Sequence, residues 1–210
     1  MEEMRIPEAV IRRLPKYYRY LVGLERRGEI RISSSAMSRD MGLNASQIRR
    51  DLNCFGGFGQ QGYGYNVSKL KGEIARILGL SGDYRMFIVG AGNIGQALAG
   101  YGGFAREGFC PAAIFDVDPA VIGTKVGGLV VRPLEQLEET AKNGGADVGV
   151  ICTPASAAQQ VADRLVALGV RDIWNFAPFD VQVPESVSVE NVHLNDSLFV
   201  LSYRLNAGEQ

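Results

Sequence analysis

The sequence predicts an α/β protein made of two unlike parts: a small basic helical domain, then a parallel-sheet domain with a closing helix. Three observations predict it. Residues 1–80 carry 14 Lys+Arg against 8 Asp+Glu and residues 81–210 carry 8 against 15, so the net charge of −1 conceals +6 and −7. Apolar residues recur near every 3.6 positions in the first part, and in the second they gather into short strand-like runs between helical stretches. Between the parts, Gly79-Leu80-Ser81-Gly82-Asp83 is small and polar, which places the boundary there. The expected domains are 1–80, 81–194 and a terminal helical segment, 195–210.

Composition narrows the class. With 210 residues, 46% hydrophobic and 21% charged, the chain can bury a sizeable core and is too apolar to be largely disordered. No run of about 18 apolar residues occurs, so no membrane span is expected. The start, MEEMRIPEAVIRR, lacks the basic-then-apolar layout of a secretory leader. Cys54, Cys110 and Cys152 are odd in number and far apart, and His193 is the single histidine. These point to a reducing, cytoplasmic setting without a disulfide framework or metal site.

In the basic part, Pro7 suits a first helical turn. Val10, Ile11, Leu14, Tyr17, Tyr18, Leu21 and Leu24 then follow the helical period, with Pro15 expected to kink or split the run and Gly28 to end it. Ser33, Ser34 or Ser35 caps the next helix, containing Ala36, Met37 and Met41. Gly42-Leu43-Asn44 makes a tight turn, and Asn44 or Ser46 caps a helix from Ser46 to about Cys54. Two short helices joined by a Gly-containing turn are the layout of a helix-turn-helix. Ile48 and Leu52 anchor the second helix to the core. Gln47, Arg49, Arg50 and Asn53, with Ser46 at its start, are the candidates to touch double-stranded DNA, because Arg grips guanine or phosphate and Gln or Asn pairs with adenine.

Phe55-Gly56-Gly57-Phe58-Gly59-Gln60-Gln61-Gly62-Tyr63-Gly64-Tyr65 alternates aromatics with glycines and predicts a sharply turned hairpin. A hairpin directly after a recognition helix is a wing, which adds Gln60, Gln61 and Tyr63 to the DNA-facing candidates and makes the domain a winged helix. Leu70, Ile74, Ile77 and Leu78 give an amphipathic helix from Ser68 to Leu78 that packs back on the first.

In the acidic part, the strand Tyr84–Val89 runs into Gly90-Ala91-Gly92-Asn93-Ile94-Gly95 and then a helix. That context turns a weak GxGxxG pattern into a dinucleotide-binding turn, in which the glycines let a pyrophosphate approach the backbone and the helix N-terminus meets its charge. The strand Ala112–Phe115 ends at Asp116, 21 residues beyond Gly95, where a carboxylate accepts from an adenosine ribose 2′-hydroxyl and repels a 2′-phosphate. NAD⁺ and NADH are therefore expected rather than their 2′-phosphates, with Val117 beside the site. Further strands at 129–131, 148–152 and 172–174, with helices around 134–142 and 155–168, predict a doubly wound parallel sheet of Rossmann type. Thr153-Pro154 and Asn175-Phe176-Ala177-Pro178 lie beyond two strand ends, so Thr153, Pro154, Phe176 and Pro178 are candidates to line the nicotinamide half.

The apparatus of a dehydrogenase is not visible. His193 falls in no catalytic motif, no Tyr-x-x-x-Lys occurs, and no length remains for a substrate domain, so no small-molecule substrate is expected. Leu198, Phe199, Val200, Leu201, Tyr203 and Leu205 make the last helix too apolar for a free surface, and docking on a second copy is the expectation. The alternatives are an NAD-dependent oxidoreductase with an accessory domain and a CoA-binding, ligase-like module.

Together, Gln47-Ile48-Arg49-Arg50-Asp51-Leu52, the glycine–aromatic wing, Val89-Gly90-Ala91-Gly92-Asn93-Ile94-Gly95, Phe115-Asp116-Val117-Asp118-Pro119 and Asn175-Phe176-Ala177-Pro178 resemble the Rex family of redox-sensing transcriptional repressors over nearly the whole chain. The resemblance implies a homodimer with a swapped C-terminal helix. NADH and NAD⁺ would compete for one site, NADH releasing the operator and NAD⁺ permitting DNA binding, to control fermentative and respiratory genes. It also implies that Tyr101 approaches the nicotinamide and that Arg19 relays the cofactor state to the DNA-binding part. The sequence departs from the family at Gln60-Gln61, where cationic residues are common, at Asn53 and Cys54, where serine and tyrosine are common, and at His193, where an aspartate often couples the subunits.

Overall fold

The computed structural model of the chain describes residues 6–56, 59–60 and 63–207, residues 59 and 60 by backbone alone. It divides into two compact units, Met1–Ser81 and Gly82–Gln210.

In the first unit α1 (Glu8–Ile11) and α2 (Leu14–Arg26) are separate helices, with Pro15 in the first turn of α2. Proline lacks a backbone N–H and fixes φ, so it starts a helix more readily than it continues one. Gly28, at φ 76°, stops α2 in a left-handed cap, where the Gly28 and Glu29 amides bond back to the Glu25 and Leu24 carbonyls. The short strand β1 (Arg31–Ile32) follows. Ser33 then caps α3 (Ser34–Met41) through the Ala36 amide, and Asn44 caps α4 (Ala45–Asn53) through the Ser46 amide. Strands β2 (Gly59–Gln60) and β3 (Gly64–Asn66) pair antiparallel, and β1 joins on the far side of β3. The wing is thus the outer part of a three-stranded sheet. Residues 57, 58, 61 and 62 of the expected hairpin, including Gln61, lie outside the described residues. Asn66 caps α5 (Val67–Ile77). Leu14, Tyr17, Leu21, Met37, Ile48, Leu52, Leu70 and Ile74 are buried in one core that includes both helices of the helix-turn-helix.

In the second unit β4 (Tyr84–Val89) leads through the glycine turn to α6 (Asn93–Ala99) and a short α7 (Gly103–Arg106). Strand β5 (Phe109–Asp116) begins three residues before the expected position, at Phe109. Cys110-Pro111 looks like a strand breaker, but the register shifts beside Pro111, opposite Met86 and Phe87, and a bulge tolerates proline. Strands β6 (Lys125–Val126) and β7 (Leu129–Pro133) form a hairpin turned by Gly127 and Gly128, both at positive φ. A 3₁₀ turn (Leu134–Gln136) precedes α8 (Leu137–Lys142), then come β8 (Val148–Ile151), α9 (Ala155–Ala167), β9 (Asp172–Asn175), β10 (Ser188–Asn191) and α10 (Asp196–Ala207).

The seven strands lie in the order β10-β9-β8-β4-β5-β7-β6. The sheet is parallel except for β6, an antiparallel edge that the expectation of a wholly parallel sheet did not include. The two-glycine turn explains it, because a two-residue turn can join only antiparallel strands. Phe87, Val89, Phe115 and Ile151 are buried with Leu137, Val161 and Leu165 of α8 and α9. Met86, Ile88, Ile114 and Val150 form a second cluster with Ala99 of α6, against which Phe104 of α7 packs. Among the described residues no helix is long and apolar enough to cross a membrane.

Candidate nucleotide cleft and nucleic-acid face

The parallel strands end their carboxyl termini together, and there the second unit opens a cleft of about 520 Å³. Its wall includes Gly90, Gly92, Ile94, Asp116, Val117, Thr153, Pro154, Phe176 and Pro178. The strand order sets the layout: Asp116 ends β5 on one side of the glycine turn, whereas Thr153 and Phe176 follow β8 and β9 on the other.

The turn fits a closely approaching phosphate. Gly90 has φ 103°, and a Cβ there would run into the Cys152 carbonyl; a Cβ on Gly95 would overlap the Gly90 carbonyl oxygen. No side chain caps the N-terminus of α6, and a Cβ on Gly92 would meet open space. Asn93 and Gly95 belong to that first turn and, like Ala91, are not on the cleft wall. Asp116 accepts from the amides of Ala91 (2.5 Å), Val117 (2.7 Å) and Asp118 (2.9 Å). An ionised carboxylate has about four acceptor positions, so room remains for a hydroxyl. Thr153 Oγ1 is buried without a hydrogen-bond partner, alone in this among the described residues, and it lies on the cleft wall. A buried polar atom left unpaired is costly unless something else completes it. The donor and acceptor set therefore fits a dinucleotide.

Sequence reasoning missed part of this wall. Ala157, Gln160, Val161 and Arg164 of α9 line it, as does Leu134. Their spacing of three and four marks one helix face, but which face turns to the cleft is decided by tertiary packing. Cys152 also lines the cleft, and burial pushes its thiol up to about 12, so it stays protonated and a poor nucleophile.

Tyr101 is exposed and is not on the cleft wall. It begins an aromatic row, Tyr101–Phe104–Trp174–Phe176, with ring centroids 4.8, 5.6 and 4.6 Å apart, that reaches the cleft at Phe176. His193 Nε2 lies 2.9 Å from Asp180 Oδ1, a partner that nothing in the sequence spacing indicates. In α10 the apolar residues Leu198, Phe199, Val200, Leu201, Tyr203 and Leu205 are all exposed.

In the first unit α4 buries Ile48 and Leu52 and exposes Ser46, Arg49, Arg50 and Asn53, with Gln47 half-buried. Ser46 Oγ hydrogen-bonds to Asn44 Oδ1 (2.7 Å), and Arg49 Nη1 donates to Ser34 Oγ (3.0 Å), which ties it to α3. Tyr63 is exposed, with the Arg31 guanidinium 5.7 Å from its ring centre. Arg19 is exposed on α2. Cys54 donates to the Arg50 carbonyl.

The group that sequence reasoning overlooked is Asp51. Only 3% exposed, it accepts from Arg13 Nε (2.7 Å), Arg13 Nη2 (2.8 Å) and the Tyr17 hydroxyl (2.7 Å). Burial pushes its carboxyl pKa up, but the hydrogen bonds from Arg13 and Tyr17 outweigh this and leave it below the usual carboxylate range. Asp51 thereby pins α4 to the start of α2. Its own neighbours give no warning, because Arg13 lies 38 residues away.

Comparison with known proteins agrees with this geometry. Residues 81–179 match the family model described as "CoA binding domain", and residues 5–53 match "Putative DNA-binding protein N-terminus". The redox-sensing transcriptional repressor Rex of Clostridium tetani is 50% identical over 209 residues, covering 100% of this chain and 99% of that protein. The Rex protein of Clostridioides difficile is 52% identical over 204 residues, 97% of each chain. The crystal structure of RSP with beta-NAD+ and operator DNA superposes with a TM-score of 0.92 at 51% identity, covering 98% of this chain and 94% of that one. RSP with beta-NADH gives 0.90 at 48% identity, covering 97% and 96%. The CoA model covers only the sheet domain, whereas the full-length relatives are named as repressors rather than ligases or oxidoreductases. With a helix-turn-helix, a glycine-cradled nucleotide cleft and end-to-end identity near one half, this chain belongs to the Rex family of redox-sensing transcriptional repressors.

Proposed function

We propose that this chain represses transcription as a cytoplasmic homodimer, binding its operator with NAD⁺ in the cleft and releasing it with NADH, and so controls fermentative and respiratory genes. The observation that carries the reading is the cleft itself, in which the Gly90 and Gly95 backbone leaves no room for a Cβ, Asp116 retains acceptor capacity and Thr153 Oγ1 has no partner. The glycine turn would hold the pyrophosphate and Asp116 the adenosine ribose. Thr153, Pro154, Phe176 and Pro178 would enclose the nicotinamide, whose bound redox state supplies the difference in ring charge and planarity that is sensed. Tyr101 and its aromatic row would carry that difference outward from Phe176.

On the DNA side, Arg49, Arg50, Gln47 and Asn53, with Ser46, would face the groove, and Tyr63, Gln60 and Gln61 the backbone. Exposure of the apolar residues of α10 supports its burial on a second copy, and a two-fold dimer matches a palindromic operator. Arg19 and His193 are assigned to the coupling between cofactor state and DNA affinity, which requires that NADH and NAD⁺ differ in affinity for the two arrangements of the dimer.

The test selects duplex DNA from a random-sequence pool with the full chain and NAD⁺, then measures binding to the selected duplex while NADH or NAD⁺ is titrated. NADH is expected to release the DNA and NAD⁺ to keep it bound. If neither cofactor alters binding, the sensor reading fails. If NADH is consumed steadily with a carbonyl substrate, an oxidoreductase replaces it.

A further inference from the structure

The cleft contains one planar cation that the dinucleotide fingerprint does not explain. Arg164, on α9, donates from Nε to Glu138 Oε1 (2.9 Å) and from Nη2 to Glu138 Oε2 (2.8 Å), and Nη2 also bonds the Leu134 carbonyl (2.9 Å). The N–H groups of a guanidinium point outward in its own plane, so bonds of this kind hold it by its edge. They use its edge and fix its orientation. Its charge is balanced by Glu138, so it is poorly placed as a phosphate anchor. Nε and Nη2 are taken by these bonds, which leaves the flat face of the guanidinium and its Nη1 corner to offer a ligand, and Arg164 is on the cleft wall with 28% of its side chain exposed.

Its position along the cleft identifies the ligand portion. Leu134 directly follows β7 and Asp116 ends β5, so both lie on the same side of the glycine turn, opposite Thr153 and Phe176. Strands β7 and β9 are four neighbours apart, about 19 Å at the usual strand spacing, enough for a nucleoside on each side of a central pyrophosphate. The base attached to the Asp116-bound ribose must therefore lie toward Leu134 and Arg164, where α9 also presents Ala157 and Val161. Flat guanidinium faces stack favourably on purine rings.

We infer that Arg164, locked edge-on by Glu138 and the Leu134 carbonyl, is the stacking platform for the adenine base and a specificity-determining residue of the cofactor site. This rests on the proposed dinucleotide reading. The locked plane spends no ordering entropy when the base arrives, so Glu138 acts as a positioning residue without touching the ligand.

The experiment titrates NADH and reduced nicotinamide mononucleotide, which lacks adenine, into the full-length protein and the R164L, R164K and E138Q variants, following nicotinamide fluorescence. Thermal melts report folding. R164L and R164K are both expected to weaken NADH about tenfold, with mononucleotide affinity unchanged. R164K keeps the charge next to Glu138 while removing the plane and the fork that fixes it, so it remains informative if R164L folds poorly. E138Q is expected to lose affinity for NADH by a smaller factor, again without affecting the mononucleotide. The inference is overturned if NADH affinity is unchanged in R164K, or if both ligands weaken alike, as a structural role would predict. Failure of wild-type protein to bind NADH at all would instead sink the dinucleotide reading.

Discussion

The two units hold their functional elements in opposite ways. In the DNA-binding unit, side chains far apart in sequence tie short helices together: Arg13 and Tyr17 hold Asp51 of α4, Glu25 of α2 takes Ser68 and Lys71 of α5, and the Tyr20 hydroxyl donates to Asp40. In the nucleotide unit, backbone ladders and glycine contacts do the same work, and the hydrogen bonds that hold Asp116 come from backbone amides, those of Ala91 in the glycine turn and of Val117 and Asp118 beside it. A small domain with short helices has little apolar surface to bury, so individual charged contacts matter more there. A seven-stranded sheet buries both faces and depends instead on how closely its chain segments can approach.

The largest expected effect attacks the second strategy. Gly95→Ala places a methyl group against the Gly90 carbonyl, an overlap with backbone that no side-chain movement relieves. It should abolish NADH binding in a fluorescence titration and cost about 3 kcal/mol. Trp174, the single tryptophan, lies in the sheet unit and reports that loss. A variant binding NADH normally would refute the close-approach argument.

Next in size is Asp51→Ala. Removing one partner of a mostly buried ion pair should destabilise the DNA-binding unit by about 3 kcal/mol. Operator binding should fall while Trp174 fluorescence and NADH affinity stay unchanged. Equal loss of both activities would show that the units are not independently maintained.

Acid sharpens the same contrast. The folded pKa of Asp51 is lowered, so its stabilising effect is present above the ordinary carboxylate pKa and is lost as pH falls through the lower, folded value. Hydrogen bonds from Lys71 and Ser68 lower Glu25 in the same direction. Helical circular dichroism should therefore decline below about pH 4 before the Trp174 signal changes. In Asp51→Asn that early phase should shrink, and an unchanged acid profile would count against Asp51.

The smallest effect concerns a cap. Asn44→Ala removes the acceptor for the Ser46 amide at the start of α4. It should cost about 1 kcal/mol and weaken operator binding modestly, with no change in the midpoint of the Trp174 transition.

Much of the site was legible because its chemistry is local. Gly90 through Gly95 could be read as a tight strand-to-helix turn because such a turn needs glycine close to a strand end, and Asp116 as a strand end because it directly follows the apolar run of β5. The helix ends near Gly42 were legible for the same reason, although only the structure chose Ser33 among three serines and Asn44 over Ser46 as the caps. Arg13–Asp51, His193–Asp180 and Arg164–Glu138 were not legible, because each joins residues 13 to 38 positions apart. The antiparallel edge β6 and the strand β10 were overlooked because two- and four-residue edge strands bury too little to impose a pattern.

The sequence by itself determined the order of the two units, the class of each and the backbone geometry of the glycine turn, since these follow from short-range periodicity and backbone sterics. Only the tertiary structure decided which face of α9 borders the cleft, which cation holds Asp51, and that Thr153 keeps a buried hydroxyl without a partner among the described residues. The reason is physical: side-chain type and spacing specify local conformation, whereas partnership across the fold depends on the packing of elements that the chain brings together only once it is folded.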